Sequence, residues 1–594
     1  MARADETKKR ISLLQDWLRA HQYAGIFVPR TDFWQGEEVM PCDERLAWLT
    51  GFTGSAGMAL VLQAGAGLFV DGRYTLQAAR EVDGAGIETC HFADRPWQDW
   101  IGSMQGHFAV DPKLVSCGWA DRTEKLLAER SSRLVMLDGN PVDTLWIDQP
   151  PPAFTPVEVF PLELAGEAGD SKRQRLGEQL KARGLDGAFI TDPTGIAWLL
   201  NMRAQDYAHT PVALSAFWLK NDGSGIWLID PARLNAEAKA HLGSNVAVQP
   251  PAYFVQQTKI WAGQTVLLDE ATAAAFLRTC LQAAGAKIKL DKCVTALAKA
   301  CKNPTEIEGM QAAHRRDGVA LAKFLHWFAS DIASGQSNLT ESAITNRLES
   351  SRAMANEYRG ASFETICGFG ASGAVVHYRT TPETDSIVAG DNLLLIDSGG
   401  QYVDGTTDVT RTLAVGNPSE DHRIHYTLVL KGHIALASAR FPVGTTGQQL
   451  DALARSALWA EGLNYDHGTG HGVGHYLSVH EGPQGISSRG TAVALQPGMV
   501  LSNEPGCYIS GEYGIRIENL IAVKESTVGK DGRAFLEFET LTLAPYDRSL
   551  IMADRLTDQE RLWVNAYHAQ VLEKIGLSLD GDAASWLQQA CAPL

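Results

Sequence analysis

Apolar residues near the start of the chain follow one pattern that occurs twice. Leu14 and Leu18 lie four apart, as on one helix face, and lead into the run Ala24-Gly25-Ile26-Phe27-Val28-Pro29. The arrangement returns as Leu176, Leu180 and Asp186-Gly187-Ala188-Phe189-Ile190-Thr191, displaced by 162 residues throughout. An i, i+4 apolar pair followed by a short continuous apolar run reads as an amphipathic helix feeding a buried strand, a β/α unit. A second match, Leu46-Ala47-Trp48-Leu49 with Ile196-Ala197-Trp198-Leu199, is displaced by 150, so the first copy carries 12 additional residues around Phe33 to Asp43. The pattern predicts a duplicated α/β domain.

Between the copies stand Pro150, Pro151, Pro152, Pro156 and Pro161. Proline at that density excludes a helix interior or a central strand, so the stretch reads as an extended connector. A second boundary falls at Asn303-Pro304-Thr305-Glu306, which has the form of a helix start, with Asn as N-cap, Pro at N1 and Glu at N3. Beyond it, Gly390 to Val415 predicts strand, turn, strand, turn, strand, with turns at Gly399-Gly400 and Asp404-Gly405. Helical stretches around 307–330 and 421–440 flank this β region, so the last part of the chain reads as α+β. The predicted domains are 1–160, 161–302 (a repeat of the first) and 303–594.

Composition narrows the partners. Of 594 residues, 45% are apolar and 20% charged, which are globular proportions, and the net charge is −17. An acidic chain lacks the basic surface that nucleic acid or anionic membranes require, so neither is expected as a partner. The start MARADETKKR has no apolar stretch behind it, and no apolar run approaches spanning length, which predicts neither signal peptide nor membrane segment. Nine scattered cysteines without a C-x-x-C pair suggest neither a disulfide framework nor a thiolate zinc site. A soluble protein of a reducing, cytoplasmic compartment is the expectation.

The familiar nucleophile and phosphate motifs are missing: there is no G-x-S-x-G, H-E-x-x-H or G-x-x-x-x-G-K-[ST], and the glycines of Gly468-Thr469-Gly470-His471-Gly472-Val473-Gly474 do not match G-x-G-x-x-G. Acids and histidines instead concentrate between 377 and 518. Asp397 ends the apolar run Leu393-Leu394-Leu395-Ile396, and Asp408 begins the next long strand. Glu504 ends Met499-Val500-Leu501-Ser502-Asn503, while Glu518 follows Gly514-Ile515-Arg516-Ile517, where period 2 puts Arg516 and Glu518 on one face. Carboxylates at the ends of buried strands are costly unless paired or coordinated. Four of them beside His471, set among glycines, predict a metal site. Two divalent cations would offset four carboxylates, with one imidazole and a bridging hydroxide completing the shells. Oxygen-rich donors suit Mn²⁺, with Zn²⁺, Co²⁺ and Fe²⁺ as alternatives.

The segments Val376-His377-Tyr378, Asp397-Ser398-Gly399, Thr407-Asp408-Val409-Thr410-Arg411-Thr412, His467 to Gly474, Val479-His480-Glu481-Gly482-Pro483, Asn503-Glu504-Pro505-Gly506 and Gly514 to Glu518 resemble the pita-bread metallopeptidases. Within that group the chain resembles the long, three-domain Xaa-Pro aminopeptidases, relatives of prolidase and creatinase. The resemblance extends to Asp71-Gly72-Arg73-Tyr74 and to the tail Leu556 to Glu560 with Trp563 and Tyr567. It implies two creatinase-like α/β domains followed by a pita-bread catalytic domain.

It further implies that Asp397 chelates one metal, His471 and Glu504 the other, and that Asp408 and Glu518 bridge both. His377, His467 and His480 match substrate-facing histidines, Arg516 matches a residue lining the site, and Glu504 is the implied proton shuttle. His475 competes with His471 for the ligand role; the His-Gly-Val-Gly context favours His471 and leaves His475 a loop or core residue. His433 reads as an ordinary helix histidine. The implied activity is metal-dependent removal of the N-terminal residue from peptides with proline second. A prolidase-type dipeptidase and a non-catalytic peptide-binding protein of the same fold remain as alternatives. The N-terminal domains are expected to shape the entrance, limit substrate length and make a homodimer.

Overall fold

The computed structural model describes residues 2–334, 338–490 and 492–594. The chain forms two compact units, one of Met1–Leu162 with Glu167–Ala296 and one of Glu163–Gly166 with Leu297–Leu594.

The first unit holds two six-stranded sheets of identical topology. In the first, strand Gly25–Pro29 pairs antiparallel with Met58–Leu62, which pairs antiparallel with Gly65–Val70 and then parallel with Glu88–His91. On its other side lie His107–Val110 and Arg133–Met136, both parallel. The second sheet repeats this order with Gly187–Ile190 in the central place, flanked by Ala216–Lys220, Gly225–Leu228 and Val246–Gln249 on one side and Thr265–Asp269 and Lys287–Asp291 on the other.

Phe27 and Phe189, 162 residues apart, thus occupy equivalent central strands, each preceded by a helix (Ala2–Ala20 and Gly169–Ala182). The predicted duplication is present. Side chains of the central strand alternate between two cores: Ile26 and Val28 pack with Leu14, Leu18 and Leu46, whereas Phe27 packs with Leu60, Trp97 and Phe108. Both faces are covered, which is why the strands read as continuous apolar runs. The proline-rich connector is irregular until its end, where Val157 bridges Leu234 and Glu158–Val159 pairs with Met202–Arg203.

The second unit is mainly antiparallel sheet with helices around it. Helix Pro304–Ser334 begins as predicted: the Asn303 side chain accepts from the Glu306 amide at 3.0 Å, and the Asn303 amide donates back to Glu306 at 2.9 Å. Strand Asn392–Ser398 lies between Ile366–Phe369 and Val409–Val415. The predicted three-strand reading of 390–415 gains a fourth element, because the middle segment folds on itself as the hairpin Gly400–Tyr402 and Gly405–Thr406. Leu394 and Ile396 face helices Pro304–Ser334 and Glu341–Arg352 through Phe324, Phe328 and Leu348.

A six-stranded sheet in the order 440–442, 535–540, 519–525, 500–503, 470–472, 481–486 completes the scaffold, with the hairpin Gly506–Ile509 and Tyr513–Arg516 beside it. Among the described residues no helix is long and apolar enough to cross a membrane, and all nine cysteines are free thiols.

Candidate metal centre

Asp397 and Asp408 approach because the chain between them doubles back. Asp397 pairs with Thr410 across the antiparallel strands Asn392–Ser398 and Val409–Val415, and Asp408 stands just before the second of these. Glu504 and Glu518 approach for a similar reason. Asn503 pairs with Asn519 across strands Val500–Asn503 and Asn519–Glu525, and the glutamates are the next residues outward. Glu518 does not sit inside one long strand as the period-2 pattern predicted. The run breaks at Ile517 and Glu518, whose amides donate to the Pro505 and Thr410 carbonyls. His471 lies mid-strand in Gly470–Gly472, where a Cβ at Gly470 or Gly472 would come to 2.0 Å and 2.2 Å of backbone oxygens; glycine is what allows this packing.

Asp408, His471 and Glu518 each offer a ligand atom, and these lie within 4.8 Å of one another. His471 Nε2 is 3.4 Å from Asp408 Oδ2 and 3.6 Å from Glu504 Oε1. Three of the four acids are anchored from behind. Arg516 Nη2 donates to Asp397 Oδ2 at 2.6 Å, the Thr410 hydroxyl to Glu518 Oε2 at 2.8 Å and the Ser502 hydroxyl to Glu504 Oε1 at 3.1 Å. His471 Nδ1 lies 2.9 Å from the Gly472 carbonyl. A carbonyl only accepts, so Nδ1 carries a proton, and Nε2 is the nitrogen turned toward the acids.

The electrostatics show unbalanced negative charge. Burial pushes Asp397 up to about 6, against the lowering effect of Arg516 and with further raising by Asp408 and Glu504. Burial, then the charges of Asp408, Asp397 and Glu504, raise Glu518 well above the ordinary carboxylate range. For His471 burial acts downward but is outweighed by Asp408 and Glu504, which carry it up to about 9. One guanidinium faces four carboxylates. Asp397 Oδ1 is buried without a hydrogen-bond partner. An orphaned carboxylate oxygen, an imidazole nitrogen turned inward and surplus negative charge are the donor set that divalent cations take, and the residues fit such ions.

The remaining expected residues are distributed unevenly. His480 is exposed, with its ring centroid 4.3 Å from that of His471 in an edge-on arrangement. His467 is buried; its Nδ1 lies 2.7 Å from the Gly468 carbonyl and its Nε2 lies 2.8 Å from the Tyr508 hydroxyl. His377 is half-buried beside Val376, whose carbonyl accepts from Arg516 Nη2 at 3.4 Å.

Arg516, expected to line the site, meets it through Asp397. It is 1% exposed, and its donors are committed to Asp397, Tyr508, Thr410 and Val376, so it holds a carboxylate from behind. His475 is buried, and a Cβ on Gly309 would meet its Nε2 at 2.9 Å, so it packs toward helix Pro304–Ser334. Tyr508, which joins Arg516 to His467, was not singled out from the sequence. A tyrosine in a short hairpin strand carries no local mark of that role.

The comparisons show the family. Residues 308–525 match metallopeptidase family M24, residues 534–594 the C-terminal region of peptidase M24, and residues 10–144 and 148–306 match creatinase/prolidase N-terminal domains. The chain is 38% identical to a probable Xaa-Pro aminopeptidase P of Neosartorya fischeri over 99% of its length and 93% of that protein's. With one of Paracoccidioides brasiliensis it shares 37% identity over 99% of both.

Its fold superimposes on the crystal structure of X-prolyl aminopeptidase from Caenorhabditis elegans, described as a cytosolic enzyme with a di-nuclear active site. That match has a TM-score of 0.94 and 34% identity and covers 100% of both chains. A prolidase from Thermococcus sibiricus shares the fold at 23% identity and a TM-score of 0.51, over 64% of this chain and 98% of that one. By this full-length likeness, the chain belongs to the Xaa-Pro aminopeptidase P branch of metallopeptidase family M24.

Proposed function

We propose that this chain is a metal-dependent aminopeptidase that removes the N-terminal residue from peptides with proline at the second position. One observation carries the reading beyond the family likeness: the convergence of Asp408, His471 and Glu518 within 4.8 Å, beside Asp397 and Glu504, with more negative charge than Arg516 offsets. In this reading Asp397, Asp408, His471, Glu504 and Glu518 would together hold two divalent cations. Four carboxylates and one imidazole suit Mn²⁺, with Zn²⁺ or Co²⁺ as the next candidates. Bound there, the ions supply Lewis acidity and make water acidic enough to act as a nucleophile near neutral pH.

The protein's own groups do the rest. Gly472 fixes the His471 tautomer, and Arg516, Thr410 and Ser502 each hold one oxygen of a ligand carboxylate, so little rearrangement is needed during reaction. Glu504 accepts a proton on its carboxylate and delivers it to the departing proline nitrogen. His480 at the exposed edge, His377, and His467 backed by Tyr508 hold the scissile carbonyl and the charge that develops on its oxygen. The Xaa-Pro bond is a tertiary amide with no N–H, so recognition falls on its carbonyl and the ring.

Domain limits of 1–160, 161–302 and 303–594, a homodimer and a cytoplasmic location complete the proposal. The last follows the Caenorhabditis elegans enzyme.

The test is hydrolysis of Arg-Pro-Pro against a panel of Xaa-Pro dipeptides, using protein stripped by chelator and reloaded with Mn²⁺. Release of the first residue of the tripeptide, lost on stripping and restored by Mn²⁺, is the expected result. Turnover of dipeptides alone would assign a dipeptidase instead, and absence of both turnover and bound metal would assign a non-catalytic binder.

A further inference from the structure

A continuous chain of buried hydrogen bonds runs behind the two glutamates, and its direction can be worked out atom by atom. Arg411, 3% exposed, is one residue beyond Thr410 and points to the opposite face of its strand. Its Nη1 donates to the Glu518 carbonyl at 2.6 Å and its Nη2 to Asn519 Oδ1 at 2.8 Å. The Asn519 amide nitrogen therefore donates, and it reaches the Tyr546 hydroxyl at 2.9 Å. That hydroxyl, already accepting, has its own proton to give, and His433 Nε2 lies 3.0 Å away. At the far end His433 Nδ1 is 3.0 Å from the Asn503 carbonyl, which can only accept. The imidazole consequently carries its proton on Nδ1 and accepts at Nε2.

A guanidinium that only donates and a carbonyl that only accepts thus fix the sense of every link. The order runs Arg411, Asn519, Tyr546, His433, Asn503. Burial and the Arg411 charge push His433 down to about 3, so it stays neutral throughout the working range.

Both ends of the chain touch the residues that carry the site. Asn503 and Asn519 face each other across the sheet and immediately adjoin Glu504 and Glu518. The Asn503 side chain returns a second bond to the His433 carbonyl at 2.9 Å. The middle of the chain comes from far along the sequence. Tyr546 belongs to the C-terminal region, and Arg411 is held there by the Ala544 and Pro545 carbonyls at 2.7 Å and 3.1 Å and by the Tyr567 hydroxyl at 3.1 Å. All the acceptors of Arg411 are neutral oxygens. An ion pair would satisfy a buried guanidinium more simply. What this arrangement adds is a fixed backbone position on either side of the two glutamates.

We propose that Arg411, Tyr546 and His433 are positioning residues that set the spacing of Glu504 and Glu518 for metal, and that the C-terminal region serves the site by supplying Tyr546. The inference rests on the reading of these glutamates as metal ligands. Hydrogen-bond partners behind metal ligands typically govern affinity by 10–100-fold.

The experiment is calorimetric titration of chelator-stripped, full-length protein with Mn²⁺, for wild type, Tyr546→Phe, His433→Gln and Tyr426→Phe. Tyr426 is an equally buried tyrosine whose hydroxyl accepts from the Asp547 amide outside the chain, so it controls for the general cost of losing a buried hydroxyl. Tyr546→Phe is expected to weaken Mn²⁺ binding by about 10-fold or more, with the far-ultraviolet spectrum unchanged, while Tyr426→Phe stays within about twofold. His433→Gln can still donate and accept and should fall between the two, and it carries the test alone should Tyr546→Phe fail to fold. Equal affinity in wild type and Tyr546→Phe would overturn the inference, as would an equal loss in Tyr426→Phe. Failure of the wild type itself to bind Mn²⁺ would overturn the metal reading instead.

Discussion

Glu481 offers a quantitative test of how the site is held. Its carboxylate is fully buried between two lysines, Lys299 at 2.7 Å and Lys302 on the other oxygen, with side-chain exposures of 0%, 4% and 1%. It follows His480 directly and pairs with Gly472, the neighbour of His471. The substitution Glu481→Gln keeps the shape and removes the charge. One ion pair at 2.7 Å is worth about 6 kcal/mol at an effective dielectric of 20. Here both ammonium groups would lose the buried carboxylate that they share. Breaking a buried pair in this way costs about 3–5 kcal/mol.

Lys299→Met is the contrasting change, because it leaves one ammonium against one carboxylate, and its cost should stay under about 2 kcal/mol. Native-state hydrogen exchange in strands Gly470–Gly472 and Glu481–Ile486 measures both. Protection should drop about 10²–10⁴-fold in Glu481→Gln and far less in Lys299→Met. Equal losses in the two variants would refute the charge argument, since packing alone would then explain both.

Three further outcomes follow from the geometry. Asp408→Ala, which removes a carboxylate from the cluster of Asp408, His471 and Glu518, should abolish bound metal and activity together, checked by elemental analysis and peptide turnover; retained activity would show that the ligand assignment is wrong. In the N-terminal unit, Asp32 is raised to about 7 by burial, opposed by its Tyr207 hydrogen bond and aided by the Asp43 charge. The folded state therefore keeps a proton that the unfolded chain releases near pH 4, and stability should fall by at most about 4 kcal/mol as pH rises from 4 to 7. Asp32→Asn should flatten that slope in denaturation measured across the range. Finally, a Cβ at Gly514 would lie 1.8 Å from the Gly373 carbonyl oxygen, so Gly514→Ala must part the turn before His377 from the strand bearing Arg516. It should cost about 3 kcal/mol or more and most of the activity, whereas Gly576→Ala, with nothing near its added methyl, should leave the melting temperature unchanged.

Much of the architecture is readable along the chain because it is local. The i, i+4 leucines before Phe27 and Phe189 mark helix and strand without reference to anything distant, and both sheets bear out the repeat. Asn303 and Glu306 cap a helix within three residues of each other. The spacing of Asp397 and Asp408 is legible for the same reason: a chain that turns back within eleven residues brings its two ends together. Even the break at Glu518 is a modest departure, since the period-2 pattern holds through Arg516 and fails only where the next two backbone amides bond to Pro505 and Thr410.

Element types, the duplicated sheet and the residue chemistry gathered between 377 and 518 are all legible along the chain. Tertiary structure alone decided which way those residues face and what holds them. Arg516 donates to Asp397, 119 positions away, a pairing that no local pattern announces. Lys299 and Glu481 are 182 positions apart, and Arg411 reaches the Glu518 carbonyl across 107. A local pattern records the periodicity of burial, which is a property of one strand or helix. It does not record the partner of a buried charge, because that partner is set by where two distant segments cross, and a lysine or histidine committed to the interior is written with the same letter as one left in water.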